Sequence, residues 1–145
     1  MTFLSERIMT SSSPRIIIGE TDFTRLTNLA EATARSNSAV ADFLMSELDR
    51  ATVKPDHLVK PTTVKMGSTL TYETDHGEHR TVTLVFPVDA DISRGRISIL
   101  TPIGAALIGL RVGQSINWTA PNGEKHKLTI ISANAEQEAF DRAAQ

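Results

Sequence analysis

The chain has 145 residues, of which 40% are apolar and 22% charged, and it contains no cysteine. This length and composition predict about one ordinary globular domain or two small ones. The missing cysteine excludes disulfides, zinc fingers, iron–sulfur clusters and thiol catalysis. No run approaches the roughly 20 apolar residues of a membrane-spanning helix, and Glu6 and Arg7 interrupt the apolar residues of the first segment. We therefore expect a cytoplasmic protein without a membrane partner.

The charges are spread evenly along the chain, with a formal net charge of −2. Residues 1–60 carry 7 Lys and Arg against 8 Asp and Glu, and residues 61–145 carry 8 against 9. Strong nucleic-acid binding depends on clustered basic side chains that neutralise phosphates. The sequence therefore predicts no strong direct binding to DNA or RNA.

The first third of the chain predicts a helical hairpin. Apolar residues recur at steps of three and four from Phe23 to Ala30, after Thr21–Asp22, which is suited to cap a helix. A second apolar stripe runs from Val40 to Ala51, with Asn37 or Ser38 placed to cap it. Helices joined by so short a polar connection are expected to pack antiparallel as a short coiled coil. The pattern alone leaves open two helices that pack separately onto the main domain.

The pattern changes near Pro55 and Pro61, which mark the expected domain boundary. The β-branched segment Arg15–Ile18 predicts one short strand before the hairpin. After the prolines, polar and apolar residues alternate, which is typical of strands. These later predicted strands are Ser68–Thr74, Arg80–Pro87, Arg96–Leu100, Ser115–Thr119 and His126–Ser132. The connection between the last two of these strands, Pro121–Glu124, contains Asn-Gly, the strongest short hairpin signal.

A short helix is predicted between the third and fourth of these later strands, with Thr101 as its cap, Pro102 as its first residue and Gly109 just beyond its end. The expected fold class is α+β: a short antiparallel helical hairpin followed by an antiparallel sheet with one short helix. The expected divisions are a flexible N-terminus at 1–14, the hairpin at 15–54, a linker at 55–67, the C-terminal domain at 68–134 and a tail at 135–145.

The histidines suggest a metal site, and this interpretation is not favoured. His76 and His79 lie beside Asp75 and Glu78, and His126 could approach from elsewhere. A turn between strands does not hold two ligands rigidly, as one face of a helix does. We therefore expect a solvated turn, with no metal and no cofactor.

Catalytic motifs are absent from the sequence. It has no Gly-x-Ser-x-Gly, and its carboxylate pairs stand two residues apart, where they diverge on a helix. Gly104–Gly109 has the glycine spacing of a phosphate loop but lacks the Lys-Ser/Thr that must follow. The sequence therefore predicts a protein-binding module and not an enzyme.

One segment carries a resemblance to a known family. Leu100–Gly113 (LTPIGAALIGLRVG) resembles the signature of the C-terminal domain of the bacterial Gre transcript-cleavage factors. The following strand and Thr119–Glu124 continue the match. Ala41–Ala51 and the phrase Ile103–Gly113 are similar to the short relatives of that family, the regulators of nucleoside diphosphate kinase. The resemblance covers roughly residues 15–133.

The resemblance implies an FKBP-like fold for the C-terminal domain, which in the family docks on the rim of the RNA polymerase secondary channel, with the hairpin pointing into it. The docking motif corresponds to Thr101 and Pro102, with the helix behind them at Ala106 and Leu107. The family usually has Ser where this chain has Thr101, and often an acidic residue where it has Leu100.

The resemblance also implies what the hairpin tip does. Cleavage factors carry acidic residues there, which hold Mg²⁺ through hard oxygen ligands. The tip of this chain, Arg35, Ser36, Asn37 and Ser38, has no acid. We therefore expect a non-enzymatic regulator that binds RNA polymerase and competes with Gre-type cleavage factors without stimulating cleavage. The alternatives are a module for another cytoplasmic partner, such as nucleoside diphosphate kinase, and a prolyl isomerase by analogy with FKBP folds.

Overall fold

A computed structural model describes residues 14–119 and 122–134 of the chain. The predicted tail, Pro121 of the predicted turn and all but the last residue of the predicted flexible N-terminus lie outside the described residues.

The elements follow one another in a helix-then-sheet order. The helices are α1 (Glu20–Ala34), α2 (Ser38–Asp49) and α3 (Pro102–Leu107). The strands are β1 (Ile17–Gly19), β2 (Thr52–Lys54), β3 (Thr69–Thr74), β4 (His79–Val85), β5 (Arg96–Ser98), β6 (Ser115–Thr119) and β7 (Lys125–Ala133). No helix in the described part of the chain is long and apolar enough to cross a membrane.

The helices α1 and α2 form the expected hairpin. Residues 35–37 alone separate them, so the chain reverses direction at this connection. Leu26 and Ala30 of α1 and Leu44 and Leu48 of α2 are buried. Their spacing of four residues places each pair on one helix face, and the four side chains belong to the same apolar cluster. As the sequence predicts, the apolar side of each helix is therefore the side that packs in the core.

The start of α1 differs from the prediction. The helix begins at Glu20, directly after Gly19, and not after a cap at Thr21–Asp22. Asp56, which lies 35 residues further along, accepts a hydrogen bond from the backbone N–H of Thr21 at 3.0 Å and another from its hydroxyl. One of the free N–H groups of the first turn is thus satisfied by a distant carboxylate. A local sequence pattern does not contain such a partner.

A two-stranded parallel sheet closes the base of the hairpin. Strand β1 pairs with β2, with Ile17 opposite Thr52 and Gly19 opposite Lys54. The sequence predicts β1 at nearly this position, but it assigns residues up to 54 to the helical hairpin and misses β2. Helix α2 ends at Asp49, before Ala51, because the chain is drawn into the pairing with β1.

The main sheet has five strands in the order β5-β4-β3-β7-β6. Three of its four pairings are antiparallel, as expected. The pairing of β4 with β5 is parallel, so the prediction of an antiparallel sheet is wrong at this edge. Residues 86–95 join the two strands as a crossover with two 3-10 turns, and a crossover brings the next strand back in the same direction. The α+β class is confirmed, and the FKBP-like description stays a prediction.

The hairpin and the main sheet share one buried apolar cluster. Ile16 and Leu26 from the N-terminal part lie in it together with Leu84 and Leu107 from the C-terminal part. At the surface, the guanidinium of Arg25 lies 4.2 Å above the centre of the Phe86 ring, a cation–π contact. Contacts of both kinds therefore hold the helices against the sheet.

Candidate functional site

The N-terminus of α3 is built by Thr101 and Pro102. The Thr101 hydroxyl accepts a hydrogen bond from the Gly104 N–H at 3.0 Å and donates one to the Ser98 carbonyl at 2.7 Å. Pro102 occupies the first turn, where its missing N–H costs nothing because that position has no helical acceptor. The predicted cap is confirmed. Pro102 is exposed and Thr101 is half-buried, so the pair forms an accessible edge.

Two glycines fix how α3 sits on the fold. A Cβ on Gly104 would lie 2.1 Å from the Ser98 carbonyl oxygen, so only glycine allows the helix to approach the end of β5 so closely. Gly109 has a φ of +80°, and a Cβ there would lie 2.8 Å from the Cβ of Ile16. The first glycine lies inside the helix and the second just beyond its end. Gly104–Gly109 is therefore not a loop that precedes a helix, as a phosphate loop is.

An apolar groove lies beside this edge and has a volume of about 210 Å³. It is lined by Ala39, Val40 and Phe43 from the start of α2 and by Leu100, Thr101, Pro102 and Ala105 from α3 and the residues before it. Phe43 is 40% exposed, which is unusual for so large an apolar side chain. The structure thus adds residues of the hairpin to the predicted docking motif.

The sequence did not assign Val40 and Phe43 to the site. Both belong to the apolar stripe of α2, and an apolar stripe predicts the helix face that packs in the core. One signal was available: Phe43 precedes Leu44 directly, so the two residues project about 100° apart around the helix. Leu44 is fully buried, and Phe43 is therefore at the margin of the stripe, toward the groove.

The other two predicted docking residues lie deeper. Ala106 is half-buried, and Leu107 is completely buried. Leu107 therefore anchors α3 in the core, whereas Pro102 is exposed and Ile103 and Ala106 are half-buried.

The hairpin tip is polar and exposed throughout Arg35–Ser38. The Asn37 side-chain oxygen accepts a hydrogen bond from the Val40 N–H at 3.2 Å, and it caps α2 as predicted. This is the one neutral carbonyl oxygen that a tip side chain offers, and the cap already uses it. The carboxylates nearest in sequence, Glu31 and Asp42, lie within the two helices and not in the connection.

Two carboxylates at the base of the hairpin have opposite electrostatic surroundings. Hydrogen bonds from the hydroxyl and backbone of Thr21 lower the pKa of Asp56 below its usual value. Burial raises the pKa of Asp22, against the effect of a hydrogen bond that its carboxylate accepts from the Met66 N–H at 3.1 Å. Their hydrogen bonds join α1 to residues 56 and 66, so these groups serve the attachment of α1.

The histidines are partly brought together. Asp75, His76 and His126 each place one donor atom within 4.8 Å of the others. His79 is not part of this group, since its Nε2 lies 3.2 Å from a carboxylate oxygen of Glu73. The solvated turn of the sequence prediction therefore has His126 as a neighbour.

Comparison with known proteins assigns the chain to a family. Residues 59–135, more than half of the chain, match the family described as transcription elongation factor, GreA/GreB, C-terminal, and residues 14–53 match the Rnk N-terminus. The regulator of nucleoside diphosphate kinase of Escherichia coli (strain K12) is 37% identical over 129 residues, which cover 88% of this chain and 95% of the relative. The chain therefore belongs to the Gre family of transcription elongation factors, as a member of its Rnk type.

Other relatives agree with this assignment. The transcription elongation factor GreA of Rhodospirillum rubrum is 34% identical over 104 residues, covering 68% of this chain and 66% of the relative. The solved structure of a prokaryotic transcription elongation factor GreA/GreB from Nitrosomonas europaea matches with a TM-score of 0.68 at 37% identity, over 81% of this chain and 98% of that one. The chain is thus a regulator of the elongation-factor type, and its relatives are named as regulators and elongation factors, not after a reaction that they catalyse.

Proposed function

We propose that this protein is a non-enzymatic regulator of transcription that binds RNA polymerase near the secondary channel. The observation that carries the proposal is the position of Thr101 and Pro102. They match the docking motif implied by the family resemblance, and they form an exposed edge beside an apolar groove. An exposed apolar surface of this kind is typical of a protein–protein contact.

The edge is suited to binding because it is rigid. The cap at Thr101 and the tight packing of Gly104 on Ser98 hold the start of α3 in one position. Leu107 fastens the same helix to the core. A surface that is already in its bound shape loses little conformational entropy on binding. Phe43, at the far side of the groove, adds a large apolar side chain to the contact.

In this proposal the hairpin, residues 15–54, enters the channel while the C-terminal part docks at the rim. The 15 residues of α1 give a helix about 22 Å long, and its tip carries no carboxylate for Mg²⁺. Binding without transcript cleavage follows. The protein competes with Gre-type cleavage factors because both use the same docking surface.

The first test is the affinity of the Pro102→Asp variant for purified RNA polymerase, measured by biolayer interferometry. Asp suits the first turn of a helix, so the fold is expected to persist. Loss of a central contact costs about 2 kcal/mol, or about 30-fold in affinity. Pro87→Asp is the matched control, because Pro87 is also exposed and also opens a short helix, but does not line the groove. Unchanged affinity of Pro102→Asp with an unchanged melting curve would contradict the proposed docking.

The second test is RNA release from a backtracked elongation complex. We expect no cleavage with this protein alone and suppression of cleavage when it is added together with a Gre-type factor. Pro102→Asp is expected to suppress much less. Efficient cleavage by the protein alone would contradict the proposal that the hairpin does not support cleavage. Glu31 and Asp42 would then be the first carboxylates to replace.

A second candidate partner is nucleoside diphosphate kinase, because the relative with 37% identity is named as its regulator. Size-exclusion chromatography of the purified pair tests it directly. Co-elution with the kinase, together with no binding to polymerase, would replace the first proposal with this one.

A further inference from the structure

The sheet register brings two distant histidines to the same place. Strands β3 and β7 are antiparallel, with Thr74 opposite Leu128. Two further residues in this register set His76 across from His126, although 50 positions separate them in the sequence. The two rings lie edge to face, with their centres 6.2 Å apart. Asp75, in the same turn as His76, faces both of them.

The three donor atoms are close to the spacing of metal ligands. The Asp75 Oδ1 atom lies 3.9 Å from His76 Nε2 and 3.8 Å from His126 Nδ1. In a tetrahedral zinc site with bonds of about 2.0–2.1 Å, neighbouring ligand atoms lie roughly 3.3 Å apart. Each of these two distances needs to close by about 0.5 Å. The ligand atoms of His76 and His126, which lie within 4.8 Å of each other, need to approach by up to about 1.5 Å. Asp75 and His76 are exposed in a turn, so their side chains can make this adjustment.

The surroundings of His126 support the same interpretation. Its side chain is 22% exposed, and while Nδ1 faces Asp75, its Nε2 lies 3.9 Å from Glu124 Oε2. Histidines that ligate metals typically direct the second ring nitrogen at a carboxylate, which fixes the tautomer and the ring orientation. Both histidines line one cleft of about 310 Å³, together with Glu78.

We propose that Asp75, His76 and His126 bind one divalent first-row transition metal ion, with Zn²⁺ as the reference ion. Two imidazoles and one carboxylate form a donor set that zinc uses, whereas Mg²⁺ prefers oxygen ligands. Arg80 lines the same cleft, and the Glu78 carboxylate, 3.6 Å away, pairs with its charge. The ion ties the β3–β4 turn to the start of β7. This inference is independent of polymerase binding.

The test is calorimetric titration of the untagged full chain with ZnCl₂, with MgCl₂ as the comparison. We expect one zinc site per chain and no comparable magnesium site. His76→Asn and His126→Asn are each expected to weaken zinc binding at least tenfold, because the loss of a direct ligand costs no less than the loss of an outer-shell partner, which costs about 10–100-fold. His79→Asn is the matched control, since His79 belongs to the same hairpin but pairs with Glu73. Absent zinc binding, or an equal loss in all three variants, would overturn the site.

A second measurement guards against misfolded variants. In NMR spectra of the wild-type chain, one equivalent of Zn²⁺ is expected to shift the ring resonances of His76 and His126 and to leave those of His57 and His79 in place. Zinc is also expected to raise the melting temperature of the wild type, because a ligand of the folded state stabilises it. Equal shifts of all four histidines would show only unspecific binding and would contradict the proposal.

Discussion

Helices α2 and α3 begin with the same local chemistry, yet the two ends present different surfaces. Asn37 accepts a hydrogen bond from the Val40 N–H at 3.2 Å, and Thr101 accepts one from the Gly104 N–H at 3.0 Å. Residues 34–39 around Asn37 are exposed and Val40 is half-buried, whereas Gly104 is buried against the end of β5. Capping is decided within four residues. Whether a capped end becomes a free tip or a rigid edge is decided by what packs behind it.

This difference bears on what each end is able to do. The start of α3 combines an exposed proline with an apolar groove, so it offers contact area to a partner protein. The tip has exposed polar side chains, of which Asn37 caps α2 and the Ser36 hydroxyl donates a hydrogen bond to the Thr33 carbonyl at 3.3 Å. The start of α3 is suited to docking. The tip itself, Arg35–Ser38, has neither apolar area nor a charged oxygen ligand, and the groove begins only with Ala39 and Val40 directly after it.

The largest effect is expected for Gly104→Ala, which disrupts the close packing of the start of α3 on the end of β5. The new Cβ would lie 2.1 Å from the Ser98 carbonyl oxygen and 2.9 Å from the Thr101 hydroxyl, so backbone has to move. We expect the free energy of unfolding, measured in urea, to fall by about 3 kcal/mol. Ser38→Ala, at the exposed start of α2, is the control and is expected to stay within about 0.5 kcal/mol. A Gly104→Ala chain as stable as the wild type would disprove the close contact.

A smaller effect is expected for Thr101→Ala. This change removes both the cap of α3 and the hydrogen bond to Ser98, and we expect it to lower the free energy of unfolding by about 1–2 kcal/mol. Thr101→Ser keeps the hydroxyl and should restore most of the loss. If serine does not restore stability, the methyl group and not the cap carries the effect.

The corresponding change at the tip, Asn37→Ala, is expected to cost about 0.5–1 kcal/mol in the same urea experiment. It loses one exposed hydrogen bond and leaves no buried group unsatisfied. Asn37→Asp keeps the cap and places a negative charge at the helix N-terminus, which is favourable. A cost equal to that of Thr101→Ala would mean that burial does not distinguish the two ends.

The smallest effect concerns the remote cap of α1 and depends on pH. Hydrogen bonds from Thr21 lower the pKa of Asp56 below its usual 3.8. A carboxyl whose pKa is lower in the folded state stabilises the fold above the unfolded value, and this contribution is lost as the pH falls through the folded value. We expect the stability difference between wild type and Asp56→Asn to be constant at neutral pH and to shrink below about pH 3.8. Urea midpoints between pH 7 and pH 2.5 measure it, and a difference independent of pH would contradict the hydrogen bonds.

The sequence by itself determined the features that depend on neighbouring residues. The sequence predicts Thr101 as a cap, Asn37 or Ser38 as another, and Pro102 as a first helical residue, because capping involves groups three or four positions apart. Alternating side chains predict the strands β3 and β4, because alternation is a property of a single strand. The Asn-Gly turn signal predicts the β6–β7 hairpin, because a tight turn is set by the residues within it. The residues that match the Gre family's docking motif were recognised for the same reason, since they form one continuous segment.

Only the tertiary structure decided the features in which distant segments meet. The parallel pairing of β4 with β5 depends on a crossover, the remote cap of α1 on Asp56, and the apolar groove on Phe43 of the hairpin lying beside α3. The approach of His126 to the turn at His76 depends on the register between β3 and β7. A register is set by which faces of both strands are buried in the shared core, and a single segment does not contain that information.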